Sequence, residues 1–351
     1  MIQSIYLRNF RNFEECSLIF APRINLFQGL NAQGKTNLLE ALSLLSLGRS
    51  FRTQNLSELI KIGSTFFFLE ATLLRDGISQ NIRISFDGQN KSVACNATQH
   101  HSFQPLLGLI PAVFFTPQDA DLIGGSPSIR RRFLNIHLAQ SDPLYVHHLI
   151  RFNRAVKQRN ALLRSHSLEG IDYWEEEMTP SATYLMERRA SFLEQLLHCP
   201  SLVNEQIEVH YEPSSTRDYL SQLKRQRPRE KVMGMTLIGP HRDDFSLLLA
   251  GQLARLHASE GQRRSIGALL RLAEWQRLKA ETGISPLFCV DDFELHLDAE
   301  RQKLFQQSLP IGQVFITTPL EGGWNDAQIF HISGGSVVEK IEVSLSKRKR
   351  G

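Results

Sequence analysis

The chain has 351 residues, of which 42% are hydrophobic and 22% are charged, and its formal net charge is +4. This is the composition of a soluble globular protein, and the small positive excess favours anionic partners. The four cysteines are scattered without a C-x-x-C pair, so neither a disulfide framework nor a cysteine zinc site is indicated. No apolar run is long enough to span a bilayer and residues 1–20 show no secretory signal, so we expect a cytoplasmic protein without membrane contact.

The first 28 residues predict short β-strands, the last of them a buried segment at 24–27. Then follows Gly29-Leu30-Asn31-Ala32-Gln33-Gly34-Lys35-Thr36, which matches the phosphate-binding loop G-x-x-x-x-G-K-[ST]. Residues 37–47 are apolar at helical spacing and end at Gly48. Strand, glycine-rich turn and helix form the context that the motif requires. The glycines let the backbone wrap a phosphate chain, and the helix N-terminus directs N–H groups at the anion.

Two residues of this loop have specific predicted roles. We expect Lys35 to reach the β- and γ-phosphates of a nucleotide and Thr36 to place its hydroxyl on Mg²⁺. The other candidates for nucleotide contact are Gly29, Asn31, Ala32, Gln33, Gly34 and Asn37. An ordinary glycine-rich turn with an exposed lysine is the alternative, and the flanking strand and helix argue against it.

Beyond the loop the pattern changes from strands to helices. Residues 65–75, 80–86 and 91–95 predict an antiparallel meander, whereas 128–165 and 174–198 have helical periodicity. We therefore predict two lobes. Residues 1–116 and 284–351 would form the nucleotide-binding lobe, and residues 117–283 a mainly helical lobe inserted into it.

A basic segment lies in the helical region, with seven Lys or Arg against a single acid between residues 126 and 160. Arg151, Arg154 and Lys157 share one stripe of a helix. Together with Arg130 and Arg131 they are the candidates for contact with DNA phosphates. The alternatives are a solvated basic face and, for some of the arginines, burial in ion pairs.

Three later segments also carry functional residue types. His241, Asp243 and Asp244 make a metal site conceivable, although adjacent residues point apart, which favours a polar turn. Ser259 is the predicted N-cap of a helix that runs through Lys279. Because small residues at a helix start favour anion binding, Ser259, Gly261 and Gln262 are candidate nucleotide contacts, with a plain helix cap as the alternative.

The acid-tipped strand at 286–292 predicts a second part of the nucleotide site. In open α/β sheets the carboxyl edge carries the ligand, so Asp291 is placed to hold Mg²⁺ and Asp292 to orient or activate a water molecule as general base. Residues 313–318 predict a buried parallel neighbour, and 328–342 a hairpin around Gly334-Gly335.

The order of these motifs is that of ABC-type ATPases, and the chain resembles the SMC-like heads, in particular the RecF family of bacterial DNA repair and replication proteins. The resemblance spans nearly the whole length. It is carried by residues 7–13, 29–41, 48–52, 125–134, 239–244, 260–264, 290–292 and Leu297-Asp298.

The resemblance implies an α/β fold, an ABC-type P-loop ATPase head with mixed sheets and an inserted mainly helical lobe. It implies weak ATPase activity with ATP and Mg²⁺, and an ATP-dependent homodimer. The signature residues of the family would map onto Ser259, Glu260, Gly261 and Gln262 and act on the nucleotide of the partner subunit. It further implies binding to single-stranded and gapped duplex DNA, and cooperation with RecO and RecR to place RecA on single strands.

The chain departs from the family pattern at three places. Gln118 stands where a glutamate is usual, Asn135 where an aspartate is usual, and Leu295-His296 where serine-glutamate is usual. The last departure puts dimer-coupled hydrolysis in doubt. Two other classes stay open on the sequence, a transporter-type ABC ATPase subunit and a P-loop kinase, which would need no partner subunit.

Overall fold

The computed structural model describes residues 1–165, 168–196, 206–216, 218–292, 299–319, 324 and 326–342. The chain forms two compact units. One consists of Met1–Pro117 and the segment from Glu274 onward, and the other is Gln118–Ala273. The second boundary falls inside a helix, whereas the sequence placed it at residue 284, after that helix.

Strands and helices of the described residues are numbered in chain order. The strands are β1 (Ile2–Phe10), β2 (Phe13–Ile19), β3 (Ile24–Gln28), β4 (Phe67–Arg75), β5 (Ile78–Phe86), β6 (Lys91–Cys95), β7 (Thr98–His100), β8 (Ala112–Phe115), β9 (Ile207–Glu212), β10 (Asp244–Leu249), β11 (Gln252–Leu253), β12 (Leu287–Val290), β13 (Val314–Thr318), β14 (Ala327–Ser333) and β15 (Ser336–Glu342). The helices are α1 (Lys35–Leu47), α2 (Asp121–Gly124), α3 (Pro127–Ser141), α4 (Pro143–Arg164), α5 (Ile171–Leu196), α6 (Tyr219–Met233), α7 (Ala254–His257), α8 (Glu260–Thr282) and α9 (Ala299–Gln307).

The first unit contains two six-stranded sheets. One has the order β2-β1-β4-β5-β6-β7, and all its neighbours are antiparallel, which confirms the predicted meander. Its strands alternate as a half-buried sheet requires, and Phe67, Leu69, Ala71 and Leu73 of β4 all face the core. The other sheet has the order β15-β14-β3-β13-β12-β8.

Five strands of the second sheet, β14, β3, β13, β12 and β8, run parallel. Their carboxyl ends therefore meet at one edge. β3 leads into the phosphate loop, β12 leads into Asp291, and β13 lies between them, which confirms the predicted parallel neighbour. This strand order brings the phosphate loop and Asp291, which are far apart in sequence, to the same edge of the sheet.

Helix α1 is buried on nearly every side. It contacts β4 of the antiparallel sheet and β8 and β13 of the parallel sheet, so it lies between the two sheets. Leu38, Leu39, Leu42, Leu44 and Leu45 are each at most 1% exposed. Burying a leucine side chain contributes about 1.5–3 kcal/mol, so this packing anchors the helix that follows the phosphate loop.

The second unit is mainly helical, with the three-stranded sheet β11-β10-β9 packed against its helices. The helical periodicity over 128–165 is confirmed, and the region is divided into α3 and α4 with Asp142 between them. The Asp142 carboxylate accepts hydrogen bonds from the N–H groups of Leu144 and Tyr145. Pro143 has no N–H to continue α3 and suits the first position of a new helix.

Among the described residues no helix is both long and apolar enough to cross a bilayer.

Candidate nucleotide site and basic surface

The phosphate loop joins β3 to α1 through conformations that suit glycine. The φ angles of Gly29 and Gly34 are 152° and 115°. A Cβ on Gly29 would lie 2.2 Å from the carbonyl oxygen of Ile332, and one on Gly34 would lie 2.7 Å from the Asn12 side chain. Both positions therefore need glycine for backbone conformation and for space. Since α1 begins at Lys35, its N-terminal N–H groups face this loop.

The Lys35 side chain folds back over the loop. Its ammonium donates to the carbonyl oxygens of Gly29 at 2.7 Å and Leu30 at 2.9 Å. The residue is 4% exposed. Lys35 thus adds a buried positive charge to the N-terminal end of α1, where the helix dipole also favours an anion.

Thr36 and Asp291 meet although they are 255 positions apart in sequence. The Thr36 hydroxyl donates to Asp291 Oδ1 at 2.8 Å, and the Thr317 hydroxyl donates to the same oxygen at 2.9 Å. Burial raises the pKa of the Asp291 carboxyl to about 6, against the effect of these two hydrogen bonds. A hydroxyl and a carboxylate are the hard oxygen ligands that Mg²⁺ takes, so Thr36 and Asp291 fit the predicted metal site.

The raised pKa of Asp291 predicts a pH-dependent stability of the metal-free protein. Its ordinary value is 3.8 and its folded value about 6, so between them the folded protein holds a proton that the unfolded chain has lost. Stability should therefore fall as pH rises through this interval. One pKa unit corresponds to about 1.4 kcal/mol, which makes the loss about 3 kcal/mol at neutral pH.

Asp291→Asn removes this carboxylate. In EDTA at pH 8 the variant should melt at a higher temperature than the wild type, and the difference should vanish below about pH 3, where Asp291 is protonated in both the folded and the unfolded state. Asp326→Asn is the control, because Asp326 is an exposed aspartate that does not contribute to the raised pKa of Asp291. Equal melting temperatures of Asp291→Asn and wild type at pH 8 would contradict the prediction.

Asp292 follows directly and adopts a left-handed conformation, with φ of 49°. Its N–H donates to the Thr317 hydroxyl at 2.7 Å. Asp292 thus lies at the carboxyl edge of the parallel sheet beside Asp291, where the sequence placed it. The departures at Leu295-His296 and the neighbouring Leu297-Asp298 lie outside the described residues.

The loop is also braced by a residue that sequence reasoning assigned no role. The Asn12 amide donates to the carbonyl oxygen of Gln33 and accepts from the Asn37 side chain, both at 2.8 Å. The β14–β15 turn adds hydrogen bonds from the N–H groups of Gly334 and Gly335 to the Gln33 side chain and carbonyl. Asn12 belongs to one of the segments that carry the family resemblance, but no spacing rule connects it with the loop.

A buried carboxylate fixes the surroundings of α1. Glu40 is fully buried and receives two hydrogen bonds from Arg11, at 2.8 and 2.7 Å, and one from the Ser50 hydroxyl. Arg52 lies 3.6 Å from the same carboxylate and donates to Asn37. The signal in the sequence was an acid inside an otherwise apolar helix face, which requires a charged partner.

The predicted signature residues Ser259, Gly261 and Gln262 lie at the start of α8, in the second unit. The Ser259 N–H donates to the Gln262 side chain at 2.8 Å, and the Gln262 N–H donates to the Ser259 hydroxyl at 3.2 Å. This reciprocal pair is a capping box, which confirms Ser259 as N-cap. Ser259 is exposed and Gly261 half-buried.

Two of the candidate DNA-binding arginines lie in structural contacts. Arg130 is 4% exposed and pairs with the Asp244 carboxylate through two hydrogen bonds, at 2.6 and 2.8 Å. Arg131 is half-buried and donates to the carbonyl oxygen of Asp243 at 2.8 Å. The guanidinium of Arg130 is desolvated and already paired, which favours the alternative of a buried ion pair over the predicted contact with DNA phosphates. Arg131 is a weak candidate for the same reason.

The α4 stripe is exposed as predicted, and Arg151, Arg154 and Lys157 all face solvent. Arg151 is partly neutralised by Glu177 of α5, with hydrogen bonds at 2.7 and 2.9 Å. Arg159, which contributed to the basic count, is instead fully buried between Glu175 and Glu230. Three cations of the segment therefore remain on one exposed face.

The 238–244 loop is a structural turn. Asp243 is fully buried and accepts from Arg189 and from Ser214, whereas Asp244 pairs with Arg130. Burial lowers the pKa of His241 to about 4, so its imidazole is neutral at pH 7. No cluster of three potential metal ligands exists among the described residues. The conceivable metal site of His241, Asp243 and Asp244 is therefore not formed.

The departure at Asn135 is accommodated in the same unit. Its side-chain oxygen accepts hydrogen bonds from the Tyr145 hydroxyl at 2.7 Å and from Arg189 at 3.0 Å. An amide oxygen thus makes the two contacts that a carboxylate could make there. Gln118, the other described departure, is exposed.

Comparisons with known proteins agree with this architecture. The family described as RecF/RecN/SMC N terminal domain matches residues 1–330. A protein of Protochlamydia amoebophila named DNA replication and repair protein RecF is 43% identical over 90% of this chain and 93% of its own length. The protein of the same name from Chlamydia caviae is 38% identical over 90% of this chain and 91% of its own.

The chain belongs to the RecF family. A solved structure described as the recombination mediator protein RecF-ATP in the RecFOR pathway has a TM-score of 0.90 at 31% identity, and covers 97% of both chains. The RecF fold confirms the predicted ABC-type head with mixed sheets and an inserted helical part. Homology to these RecF proteins makes the chain a DNA replication and repair protein, which removes the transporter subunit and the kinase as alternatives.

Proposed function

We propose that this RecF-family chain is an ATP-dependent DNA-binding protein of recombinational repair and replication. The contact between Thr36 and Asp291 carries the proposal, because it joins the phosphate loop to the acid-tipped strand at 2.8 Å. An ordinary glycine-rich turn is not expected to be followed by a hydroxyl that donates to a buried carboxylate 255 positions away in the sequence.

ATP and Mg²⁺ are the proposed cofactors. Lys35 and the α1 N-terminus would bind the phosphates, together with Gly29, Asn31, Ala32, Gln33, Gly34, Thr36 and Asn37. Thr36 and Asp291 would hold the metal ion, which neutralises phosphate charge when bound. Asp292 would orient the attacking water in a weak ATPase that serves as a conformational switch. The similarity to a structure described as RecF-ATP supports the choice of nucleotide.

ATP-dependent homodimerisation is proposed from the exposed start of α8. One phosphate loop leaves the γ-phosphate open on one side, and a helix N-terminus from a second subunit would close it with N–H groups and the Ser259 hydroxyl. Gly261 and Gln262 lie at the same helix start. A symmetric dimer would form two such sites.

Ser259→Arg is expected to keep the chain monomeric while ATP still binds. The substitution places a bulky cation at the proposed interface and leaves the phosphate loop intact. It also removes the cap of α8, which costs about 1 kcal/mol. Ser259→Ala therefore serves as the control, since it loses the same cap without adding bulk. Light scattering with ATP measures the mass, and an ATP-dependent dimer of Ser259→Arg would contradict the proposed interface.

The proposed DNA contact is the exposed face of α4. We infer that the protein binds single-stranded and gapped duplex DNA there, and works in the cytoplasm with RecO and RecR to place RecA on single strands. The partners follow from the family resemblance, and the RecFOR pathway named for the solved relative supports them. Cations on one exposed helix face suit phosphate contacts, which set affinity rather than sequence preference.

Replacing Arg151, Arg154 and Lys157 together with glutamine should weaken DNA binding and flatten its dependence on salt. Each phosphate contact that is removed on duplex DNA reduces the log–log slope by about 0.9, so the change corresponds to at most about three phosphates per subunit. ATP affinity should stay unchanged. The matched control is Lys224, Arg225 and Arg229 of α6 replaced with glutamine, which removes the same charge from another exposed face. If the α4 variant keeps the salt slope of the wild type, the exposed face of α4 does not contact DNA. If the α6 variant instead binds DNA more weakly with a flatter slope, α6 carries the DNA contact.

The deciding experiment is a DNA-binding titration with and without ATP, on single-stranded, gapped and intact duplex substrates. We expect ATP to strengthen binding, most on the gapped substrate. Binding that is equal with and without ATP, for the wild type and for Lys35→Ala, would refute an ATP-dependent DNA-binding function.

A further inference from the structure

A single threonine hydroxyl connects the two acidic residues at the edge of the parallel sheet. Thr317, on β13, is fully buried. Its hydroxyl donates to Asp291 Oδ1 at 2.9 Å and accepts from the N–H of Asp292 at 2.7 Å. The hydroxyl therefore contacts the side chain of one aspartate and the backbone of the next. Neither the phosphate-loop motif nor the acid-tipped strand accounts for these two hydrogen bonds.

The two hydrogen bonds have fixed directions. An ionised carboxylate only accepts hydrogen bonds and a backbone N–H only donates. The one hydroxyl proton of Thr317 must therefore point to Asp291, and a lone pair must face Asp292. A side chain without this group deprives both the Asp292 N–H and the Asp291 carboxylate of one hydrogen bond.

The position of Thr317 in the sheet makes this geometry rigid. β13 pairs with β3, where Thr317 lies opposite Phe27, and on its other side β13 pairs with β12. The strand therefore lies between the one that leads into the phosphate loop and the one that leads into Asp291. A β-branched side chain on a strand has few rotamers, so the hydroxyl is fixed by the backbone that carries it.

We propose that Thr317 is a positioning residue of the nucleotide site: it holds the Asp291 carboxylate against Thr36 and holds the backbone of Asp292. This inference rests on the proposed ATP and Mg²⁺ site, and it concerns how this chain orients the two acids.

The backbone of Asp292 needs such support. With φ of 49° it occupies the left-handed region, which aspartate tolerates better than most residues other than glycine but which hydrogen bonds from the surroundings still stabilise. The preceding N–H, that of Asp291, bonds to the carbonyl oxygen of Phe115 on β8. The next N–H has the Thr317 hydroxyl as its acceptor, so the strand-to-loop turn is fixed on both sides.

Asp291 likewise needs a donor other than Thr36. Both threonine hydroxyls donate to Oδ1, but Thr36 is also the expected metal ligand. Its hydroxyl is therefore shared between two tasks. Thr317 is fully buried in the sheet and has no such second task, so its hydrogen bond keeps the carboxylate oriented independently of the metal.

The test compares Thr317→Val, which keeps the shape and removes the hydroxyl, with Thr317→Ser, which keeps the hydroxyl. Thr72→Val makes the same exchange on β4 of the antiparallel sheet and serves as the matched control. Calorimetry measures ATP affinity in Mg²⁺ and in EDTA, and turnover is measured in parallel. The melting temperature of each variant is recorded.

The Mg²⁺ increment is the ratio of the ATP affinity in Mg²⁺ to the ATP affinity in EDTA. We expect this increment to be smaller in Thr317→Val than in the wild type by about tenfold or more, because a hydrogen bond to a charged group is removed. Its ATP affinity in EDTA should stay close to wild type, because the phosphate loop is untouched. Its kcat should fall more than its KM rises, and Thr317→Ser should restore both the Mg²⁺ increment and kcat. Thr72→Val should match the wild type throughout.

A wild-type Mg²⁺ increment and kcat in Thr317→Val would overturn the inference. The inference would also be overturned if Thr317→Ser lost as much of the Mg²⁺ increment and of kcat as Thr317→Val does. The same holds if Thr317→Val lost ATP affinity equally in EDTA and in Mg²⁺. Both results would indicate a packing defect rather than a change in the orientation of the carboxylate. Should Thr317→Val not fold, Thr317→Ala replaces it with the same expected readouts. If the wild type itself binds ATP no better with Mg²⁺ than with EDTA, the proposed cofactor site fails and this inference fails with it.

Discussion

Lys35→Ala is expected to abolish ATP binding or to weaken it severely. The ammonium is the cation that the motif directs to the β- and γ-phosphates, and in this structure it already lies over the loop, 2.7 Å from the Gly29 carbonyl oxygen. A hydrogen bond to a charged group contributes about 1.5–3 kcal/mol, so removing one lowers the affinity by roughly 10- to 100-fold. Isothermal titration calorimetry measures the change directly.

Lys61→Ala is the control for this variant, because Lys61 pairs with Glu14 at the surface and lies in no predicted site. The melting temperature of Lys35→Ala separates a defect in affinity from a defect in folding. An ATP affinity equal to wild type in a folded Lys35→Ala protein would remove the assignment of residues 29–36 as the phosphate loop.

The parts of the fold with a regular period could be predicted from the sequence. β4, β5 and β6 alternate between buried and exposed residues, and α8 has its cap and apolar face in local sequence. Short buried strands before a glycine-rich loop and before Asp291 indicated a parallel sheet. Each of these signals depends on neighbours within a few residues, which is what a single sequence contains.

The basic segment between residues 126 and 160 shows that the burial of a charged residue cannot be predicted from its local sequence. Arg130, Arg154 and Arg159 look alike in sequence, yet Arg154 is exposed, Arg130 pairs with Asp244 and Arg159 is fully buried between two glutamates. Their partners lie 16 to 114 residues away. The charge of a residue is local information, but its burial is decided by distant elements of the fold.

The hydrogen bonds that support the phosphate loop also come from residues far away in the sequence. Asn12 contacts Gln33 and Asn37, and the hairpin turn at 334–335 contacts Gln33 from the far end of the chain. Amide side chains and glycine N–H groups occur in every turn, so no local pattern marks these as partners of one loop. Their effect is to hold the loop in a defined conformation, which reduces the ordering cost of binding.

Asp292→Asn is the second variant with a large expected effect, and it should trap an ATP-bound state. The proposed general base is removed, while Asp291 and Thr36 keep their hydrogen bond at 2.8 Å. Asparagine has nearly the same size and tolerates the left-handed backbone of this position, so the hydrogen bond to Thr317 is retained. Turnover should fall by about 10²-fold or more if Asp292 acts as general base, while ATP affinity stays close to wild type.

Asp326→Asn is the matched control, since Asp326 is an exposed aspartate with a left-handed φ of 60°. Single-turnover hydrolysis gives the rate, and light scattering after ATP addition gives the lifetime of the dimer, which should lengthen in Asp292→Asn alone. The two readouts separate a missing base from a damaged site, because a site defect would shorten the dimer lifetime and lower ATP affinity. Turnover near wild type in Asp292→Asn would instead move the role of the base to another residue, and the residues near Gln118, which is exposed after β8, would be the next positions to substitute.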